Sequence, residues 1–214
     1  MYKHLADSVQ IFNKGEIILR QGEITKYIYY LESGTCYRTH LTDKGDNIIY
    51  EIKEPDNTVN SLLGSLTTYT HSGKSFYTFT ARTTCHCHRI SVAVFKKWVL
   101  ENPLVLQELL ELSMDQYGEL RQAFQSYQEG RIANRLCQIL LSCCKTIHGE
   151  PVIIKKYTFG EMASMLGVHQ VTVSRIVRSL CNEGVLDRSP QGFHVLDYEK
   201  LQNYANKEEQ LLYK

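Results

Sequence analysis

A chain of 214 residues with 43% hydrophobic and 22% charged residues suits one large or two modest packed domains and has the balance of a soluble globular protein. Its formal net charge of +1 does not announce nucleic acid, so any such role must rest on a motif. No apolar run approaches the ~20 residues that span a bilayer, and the start MYKHLADSVQIFNKGE lacks the apolar core of a signal peptide, so a cytoplasmic chain with no membrane partner is expected.

From Ile11 to about Val94 the runs EIILRQG, YIYYLESG, TCYRTHLT, DNIIYEI, SFYTFTA and TTCHCHRIS are punctuated by Gly15, Gly22, Gly34, Lys44-Gly45 and Ser72-Gly73. Short alternating runs between turn signals predict an antiparallel β-roll or jelly roll, with another small β-sandwich as the alternative. The seven cysteines, at 36, 85, 87, 137, 143, 144 and 181, are odd in number and scattered, which fits small core residues in a reducing compartment better than a disulfide framework. Cys85-His86-Cys87-His88 has the look of a metal site. On a strand, however, successive side chains point to opposite faces, so one ion cannot collect all four. Two inward cysteines, two outward histidines and no metal are expected. Tyr50, Tyr69, Phe76, Tyr77 and Phe79 surround a Ser/Thr-rich loop, which suits an uncharged or phenolic aromatic ligand; the plainer alternative is that they are core and surface of a sheet.

Asn102-Pro103 predicts a helix start, with Asn as N-cap and Pro at the first helical position, and the helix runs to about Tyr127. Leu106, Leu110, Ser113, Tyr117, Leu120, Phe124 and Tyr127 are spaced alternately four and three, the repeat of a seam that pairs with an identical helix. A homodimer follows, and Leu109, Leu112 and Met114, off that line, are expected against the β-roll. Gly118 in mid-helix costs ~1 kcal/mol relative to Ala, with no reason visible in the sequence.

A hinge at Gln128-Glu129-Gly130 precedes a helix from Arg131 to about Lys145, and Val152-Ile153-Ile154 forms a short strand. Thr158 with Glu161 three residues on is a capping box that starts a short helix with Met162, Ala163, Met165 and Leu166 as its apolar face. Gly167 then supplies the left-handed backbone of a helix-turn-helix. In the second helix Val173, Ile176, Val177 and Leu180 recur at three and four residues and must face inward, leaving His169, Gln170, Thr172, Ser174, Arg175 and Arg178 on polar faces. Val185-Leu186, the turn Ser189-Pro190-Gln191-Gly192 and Phe193 to Leu196 form a hairpin wing, and Asp197 caps a last helix from Tyr198.

The run Gly167-Val168-His169-Gln170-Val171-Thr172-Val173-Ser174-Arg175-Ile176, followed by Leu180 and Glu183-Gly184-Val185-Leu186, resembles the DNA-binding signature of the Crp/Fnr family of regulators. The resemblance implies an α+β chain in three parts: a cyclic-nucleotide-binding-like roll over 1–100, a dimerisation helix over 101–128 and a winged helix-turn-helix over 129–214. It also implies double-stranded DNA, RNA polymerase and a small-molecule effector as partners. Family members that bind cyclic AMP carry a Gly-Glu pair and an Arg-Ser pair. Aligning on Gly64 puts Ser65 in place of the glutamate and Ser75-Phe76 in place of Arg-Ser, so no cation remains there for a phosphate and cyclic AMP is not expected. Gly64, Ser65, Ser75, Phe76 and Tyr77 are the candidate effector pocket. Ser61-Leu62-Leu63-Gly64 also resembles the halorespiration regulators, which sense chlorinated aromatics, although Ser65 stands where that subgroup has a lysine.

On DNA, Arg175 is the first candidate for a base contact, since a guanidinium spans both acceptors of guanine; Gln170 can take adenine, and Ser174 adds a single hydrogen bond. Val171 stands where family members often have a glutamate, exchanging a cytosine contact for a thymine methyl and pointing to an A/T-rich palindrome. Thr158, His169, Thr172 and Arg178 are assigned to phosphates, with a bare helix cap as the alternative for His169 and a solvated cation for Arg178. No catalytic residue and no cofactor are expected. The alternatives are a haem- or redox-based sensor of the same fold and a metal-dependent enzyme using Cys85 to His88. An iron–sulfur sensor is not expected, because no cysteine precedes Cys36.

Overall fold

The computed structural model describes residues 2–43, 45–128, 132–147 and 149–213, apart from the side chains at 122, 123 and 126–128. The hinge residues Glu129 and Gly130, the expected helix start Arg131, the turn residue Lys44 and the seam side chain of Tyr127 therefore lie outside the described residues. Two compact units divide the chain, Met1–Glu119 and Leu120–Lys214.

In the first unit the short alternating runs become β1 (Ser8–Phe12), β2 (Ile17–Leu19), β3 (Tyr27–Ser33), β4 (Cys36–Leu41), β5 (Asn47–Lys53), β6 (Leu62–Leu63), β7 (Thr78–Ala81) and β8 (Cys85–Ser91). Among the described residues they build two four-stranded antiparallel sheets, in the orders β1-β8-β3-β6 and β2-β7-β4-β5. Residues of both sheets, including Leu31, Cys36, Leu63, Phe79, Cys85 and Cys87, meet in one core. The first sheet is covered on its other face as well. There Tyr2, Ile28, Tyr30 and Ile90 pack with Phe95 and Val99 of α1 (Val92–Glu101) and with Val105 and Leu109 of α2 (Pro103–Gln128). Each such apolar side chain removed from water is worth about 1.5–3 kcal/mol.

The structure corrects three expectations in this unit, at His88, at the end of the last strand and at Met114. His88 is not an outward histidine: it is buried, with Nε2 2.6 Å from Glu32 Oε2 and its ring 5.9 Å from that of Tyr30. The strands stop at Ser91, whose side chain caps α1 by accepting from the Val94 amide; the β-branched Val92 and Val94 disguise a helix as a strand. Asn102 closes α1, its side chain donating back to the Trp98 carbonyl at 2.7 Å, and α2 starts at Pro103 as the Asn-Pro pair predicts. Along α2, Leu109 is buried and Leu112 packs against the same core, whereas Met114 is exposed, contrary to expectation. The seam residues Leu106, Leu110, Tyr117, Leu120 and Phe124 are exposed in this single chain, and Ser113 is half-buried.

The second unit comprises α3 (Ile132–Ser142), β9 (Cys144–Ile147), β10 (Glu150–Ile154), α4 (Phe159–Leu166), α5 (Gln170–Asn182), β11 (Leu186–Ser189), β12 (Gly192–Val195) and α6 (Tyr198–Asn206). The helix expected to reach Lys145 ends at Ser142, because Cys144 to Ile147 pair with β10 as an extra strand. The sheet order is β11-β12-β10-β9, so the wing hairpin is anchored on β10. Leu136, Leu140, Leu166, Ile176, Leu180 and Leu201 form the shared core of its helices.

Candidate functional site

The helix-turn-helix follows from local bonding. The Thr158 hydroxyl accepts from the Glu161 amide at 3.2 Å and donates to Glu161 Oε2 at 3.0 Å, while the Thr158 amide donates to the same oxygen at 2.7 Å. The capping box is complete, and both donors of Thr158 are engaged in it in this arrangement. Gly167 ends α4 at φ +66°, the left-handed turn that a side chain would strain. His169 is the N-cap of α5, its Nδ1 accepting from the Val171 amide at 3.3 Å. That bond fixes the tautomer with the proton on Nε2, so capping and donation to a phosphate are compatible.

Along α5 the two faces separate as the spacing predicts. Val173, Ile176, Val177 and Leu180 are fully buried, whereas Gln170, Val171, Arg175 and Arg178 are exposed, with Thr172 and Ser174 half-buried beside them. Val171 leaves 48% of its surface in solvent, an apolar contact held on an otherwise polar face. The far end of the helix is tied down by Glu183, which accepts from Lys200 at 3.1 Å and from the Tyr204 hydroxyl. The Tyr204 hydroxyl, first because of burial and then because of this bond, is pushed up to about 12. Sequence reasoning passed over the cations of the wing region: Lys155 is exposed and donates to the Pro190 carbonyl at 3.1 Å, and Arg188 is exposed on β11.

In the first unit a cavity of about 270 Å³ is lined by Gly64, Ser65, Phe76 and Tyr77, four of the five predicted pocket residues, together with Phe79 and with Leu112, Ser113 and Gln116 of α2. Gly64 closes its floor at φ +83°, where a Cβ would come within 2.7 Å of the Leu19 side chain. Ser75 is not in the lining: its hydroxyl donates to the Tyr77 carbonyl at 2.7 Å and shapes the local turn. Of the other aromatic candidates, Tyr50 packs on Tyr77 with ring centres 5.2 Å apart, and Tyr69 packs against Phe95 instead.

The cavity also overturns the expectation that no cation remains. Arg38 of β4 and Lys53 of β5 line it, with only 6% and 4% of their surfaces exposed. Both pair with one carboxylate, Glu51, at 3.3 Å and 3.2 Å. Lys53 also donates to Asn60, and the Arg38 guanidinium lies 4.9 Å from the centre of the Tyr77 ring. Burial, opposed by Glu51, draws the Lys53 ammonium below the usual lysine value. A neighbouring cavity of about 600 Å³ carries Glu51, Glu108, Glu111, Asp115 and Glu119 in its lining and has the opposite sign of charge.

Cys85 and Cys87 point inward together, as the alternation requires. Burial raises both thiols, Cys87 to about 12, so they are protonated and poor ligands or nucleophiles at neutral pH. Among the described residues no three His, Cys, Asp or Glu side chains converge as a metal site, and no helix is long and apolar enough to cross a membrane.

Comparison with known proteins supplies a context for both sites. The Crp-like helix-turn-helix domain family matches residues 130–204, and the cyclic nucleotide-binding domain family matches residues 9–102. A "Probable transcriptional regulator flp" from Lacticaseibacillus casei is 27% identical over 128 residues, which is 60% of this chain and 57% of that protein, less than two thirds of the relative's length. The c-di-GMP responsive global regulator CLP of Xanthomonas campestris superposes with a TM-score of 0.75 at 13% identity, covering 92% of this chain and 96% of that one. CprK complexed with OCPA gives a TM-score of 0.73 at 19% identity, with 94% and 90% covered. At these identities the two structures show the shared fold.

Proposed function

We propose that this chain, whose two parts match the Crp-like helix-turn-helix and cyclic nucleotide-binding domain families, is a transcription regulator of the Crp/Fnr type that acts as a homodimer reading an A/T-rich palindromic operator under the control of a small effector. The observation that carries this reading is α5, which holds Gln170, Val171 and Arg175 outward on a fully buried stripe. Arg175 takes both acceptors of a guanine, Gln170 an adenine, Val171 a thymine methyl and Ser174 a single hydrogen bond. Thr172, His169 and Arg178 meet phosphates, which orient the helix without specifying sequence. Two copies, paired along the exposed seam Leu106-Leu110-Ser113-Tyr117-Leu120-Phe124, present two such helices to half-sites about one helical turn apart. RNA polymerase is the further partner, and no catalytic step belongs to this reading.

Control enters through the roll. The cavity touches α2 at Leu112, Ser113 and Gln116, and Ser113 is also a seam position. A ligand there tightens or rotates the helix pair and changes the separation of the recognition helices, provided that it binds the two arrangements with different affinity. The likeness of Ser61-Leu62-Leu63-Gly64 to the halorespiration regulators points to an aromatic effector, as do Phe76, Tyr77 and Phe79 in the lining.

The test is selection of duplexes from a random pool by the full chain at fixed salt. The expected product is an A/T-rich palindrome with half-sites about one turn apart. Recovery of unpaired sites, or no enrichment at all, would defeat the proposal.

A further inference from the structure

An acidic side chain closes α5 at the end where the helix itself disfavours one. Glu183 is the C-cap, and the last turn of α5 carries no basic residue. The helix dipole is negative there and repels a carboxylate. What offsets this lies on α6: the Glu183 carboxylate accepts from the Tyr204 hydroxyl and from the Lys200 ammonium, the latter at 3.1 Å. The Tyr204 hydroxyl, against the effect of burial and together with Lys200, holds the Glu183 carboxyl below its usual value, so the acceptor is charged at neutral pH and the bond to it is a strong one.

The helix α6 is held in turn. The side-chain amides of Asn134 and Gln138 on α3 donate to the Tyr204 and Ala205 carbonyls in its last turn, the second at 3.0 Å, and Asn134 is buried. Tyr204 therefore joins three helices: its carbonyl is taken by α3, its ring lies in the shared core with 4% of its surface exposed, and its hydroxyl reaches α5. Apolar packing is non-directional and lets a helix tilt; a hydroxyl-to-carboxylate bond in a low-dielectric setting fixes an angle. An anchor at this end has leverage. With a rise of about 1.5 Å per residue, Arg175 stands about 12 Å and Gln170 about 20 Å from Glu183. A tilt of about 5° at the anchored end moves Gln170 by about 1.7 Å, several times the roughly 0.5 Å range of a hydrogen-bond length.

We propose that Glu183 and Tyr204 are positioning residues for sequence reading: on the reading that α5 enters the major groove, their bond sets the pitch at which α5 presents Gln170, Val171 and Arg175. Neither side chain touches DNA. Lys200 keeps the carboxylate in place, and Asn134 and Gln138 keep the tyrosine in place.

The experiment uses the full chain at one salt concentration, with the palindrome enriched from a random pool and a scrambled duplex of equal composition. Tyr204→Phe and Glu183→Ala should each lower the ratio of the two affinities tenfold or more and leave the affinity for the scrambled duplex within twofold of wild type. The preference should relax more at the base pairs read by Gln170 and Val171 than at the one read by Arg175. Glu183→Gln keeps an acceptor for the hydroxyl and should hold the ratio within threefold of wild type. The double variant of Tyr204→Phe with Glu183→Ala should lose no more than either single one, because both remove the same bond. A tyrosine with a merely structural role would lower the melting temperature and the active fraction and leave the ratio of the folded protein unchanged. That result, additive losses in the double variant, or a Glu183→Gln protein no better than Glu183→Ala overturns the proposal. A second readout needs no DNA: amide hydrogen exchange in α5 should quicken at least tenfold in Tyr204→Phe, with that of α3 unchanged. If the wild-type chain does not distinguish the two duplexes, α5 is not a sequence reader and exchange alone decides the brace, faster exchange supporting it and unchanged exchange overturning it.

Discussion

Arg175 on the recognition helix and Arg38 in the roll occupy opposite surroundings. Arg175 is exposed, on a face whose reverse side is fully buried, and its guanidinium is solvated until a partner arrives. Arg38 is 6% exposed, shares one carboxylate with Lys53 and keeps one donor unpaired. The solvated arginine costs the folded chain little, because its charge keeps its water. The buried one is held inside the fold by Glu51 and by the face of the Tyr77 ring, so its surroundings are fixed by packing where those of Arg175 are set by solvent.

The sharpest way to break that contrast is to remove what supports the reading surface. Leu180→Ala should cost about 2–5 kcal/mol of stability in denaturant unfolding, through lost burial and the cavity left behind; a loss below 1 kcal/mol would mean that α5 does not depend on its buried stripe. Next in size, Arg175→Ala should weaken operator binding by about 1–3 kcal/mol and relax the preference at one base pair. Thr172→Ala should instead weaken all sequences alike, and a selective loss would move Thr172 from phosphate to base. Thr158→Ala should lower stability by about 0.5–2 kcal/mol as a lost N-cap, with DNA affinity of the folded protein unchanged. A drop in affinity without a drop in stability would restore Thr158 to the phosphate contacts.

The smallest expected effect concerns an exposed pair in the first unit. The Lys3 ammonium, followed by His88, holds the Glu32 carboxyl down at about 2 from an ordinary 4.5. A depressed carboxyl stabilises the fold above its unfolded value and loses that contribution as pH falls. The melting-temperature gap between wild type and Glu32→Gln should therefore be full above pH 4.5 and close toward pH 2. A gap that stays constant over that window would show that Glu32 acts through packing and not through its charge.

The same two regions differ in how far the sequence discloses them. The capping box, the buried stripe of α5 and the Gly167 turn are all local, with partners three or four residues apart, so periodicity and capping chemistry suffice to place them. The exposed apolar stripe of α2 and the inward cysteines of β8 are legible for the same reason. Arg38 and Lys53 are not, because a cation in an alternating run looks like an outward polar residue until strand pairing and a bulge turn it inward. An alignment fixed on Gly64 searches for a cation near Ser75, whereas the fold brings two to the cavity wall from β4 and β5. The helix α1 is hidden by Val92 and Val94, and β9 by its continuity with the end of α3. His88 is misplaced because one-sided burial was assumed for a strand that has cores on both faces.

The central claim is that α5 of this chain reads sequence. Its most direct test is the affinity of the full chain, at one salt concentration, for the palindrome enriched from a random pool and for a scrambled duplex of equal length and composition. A sequence reader is expected to prefer the palindrome by about a thousandfold or more; equal affinity for the two duplexes would contradict the account.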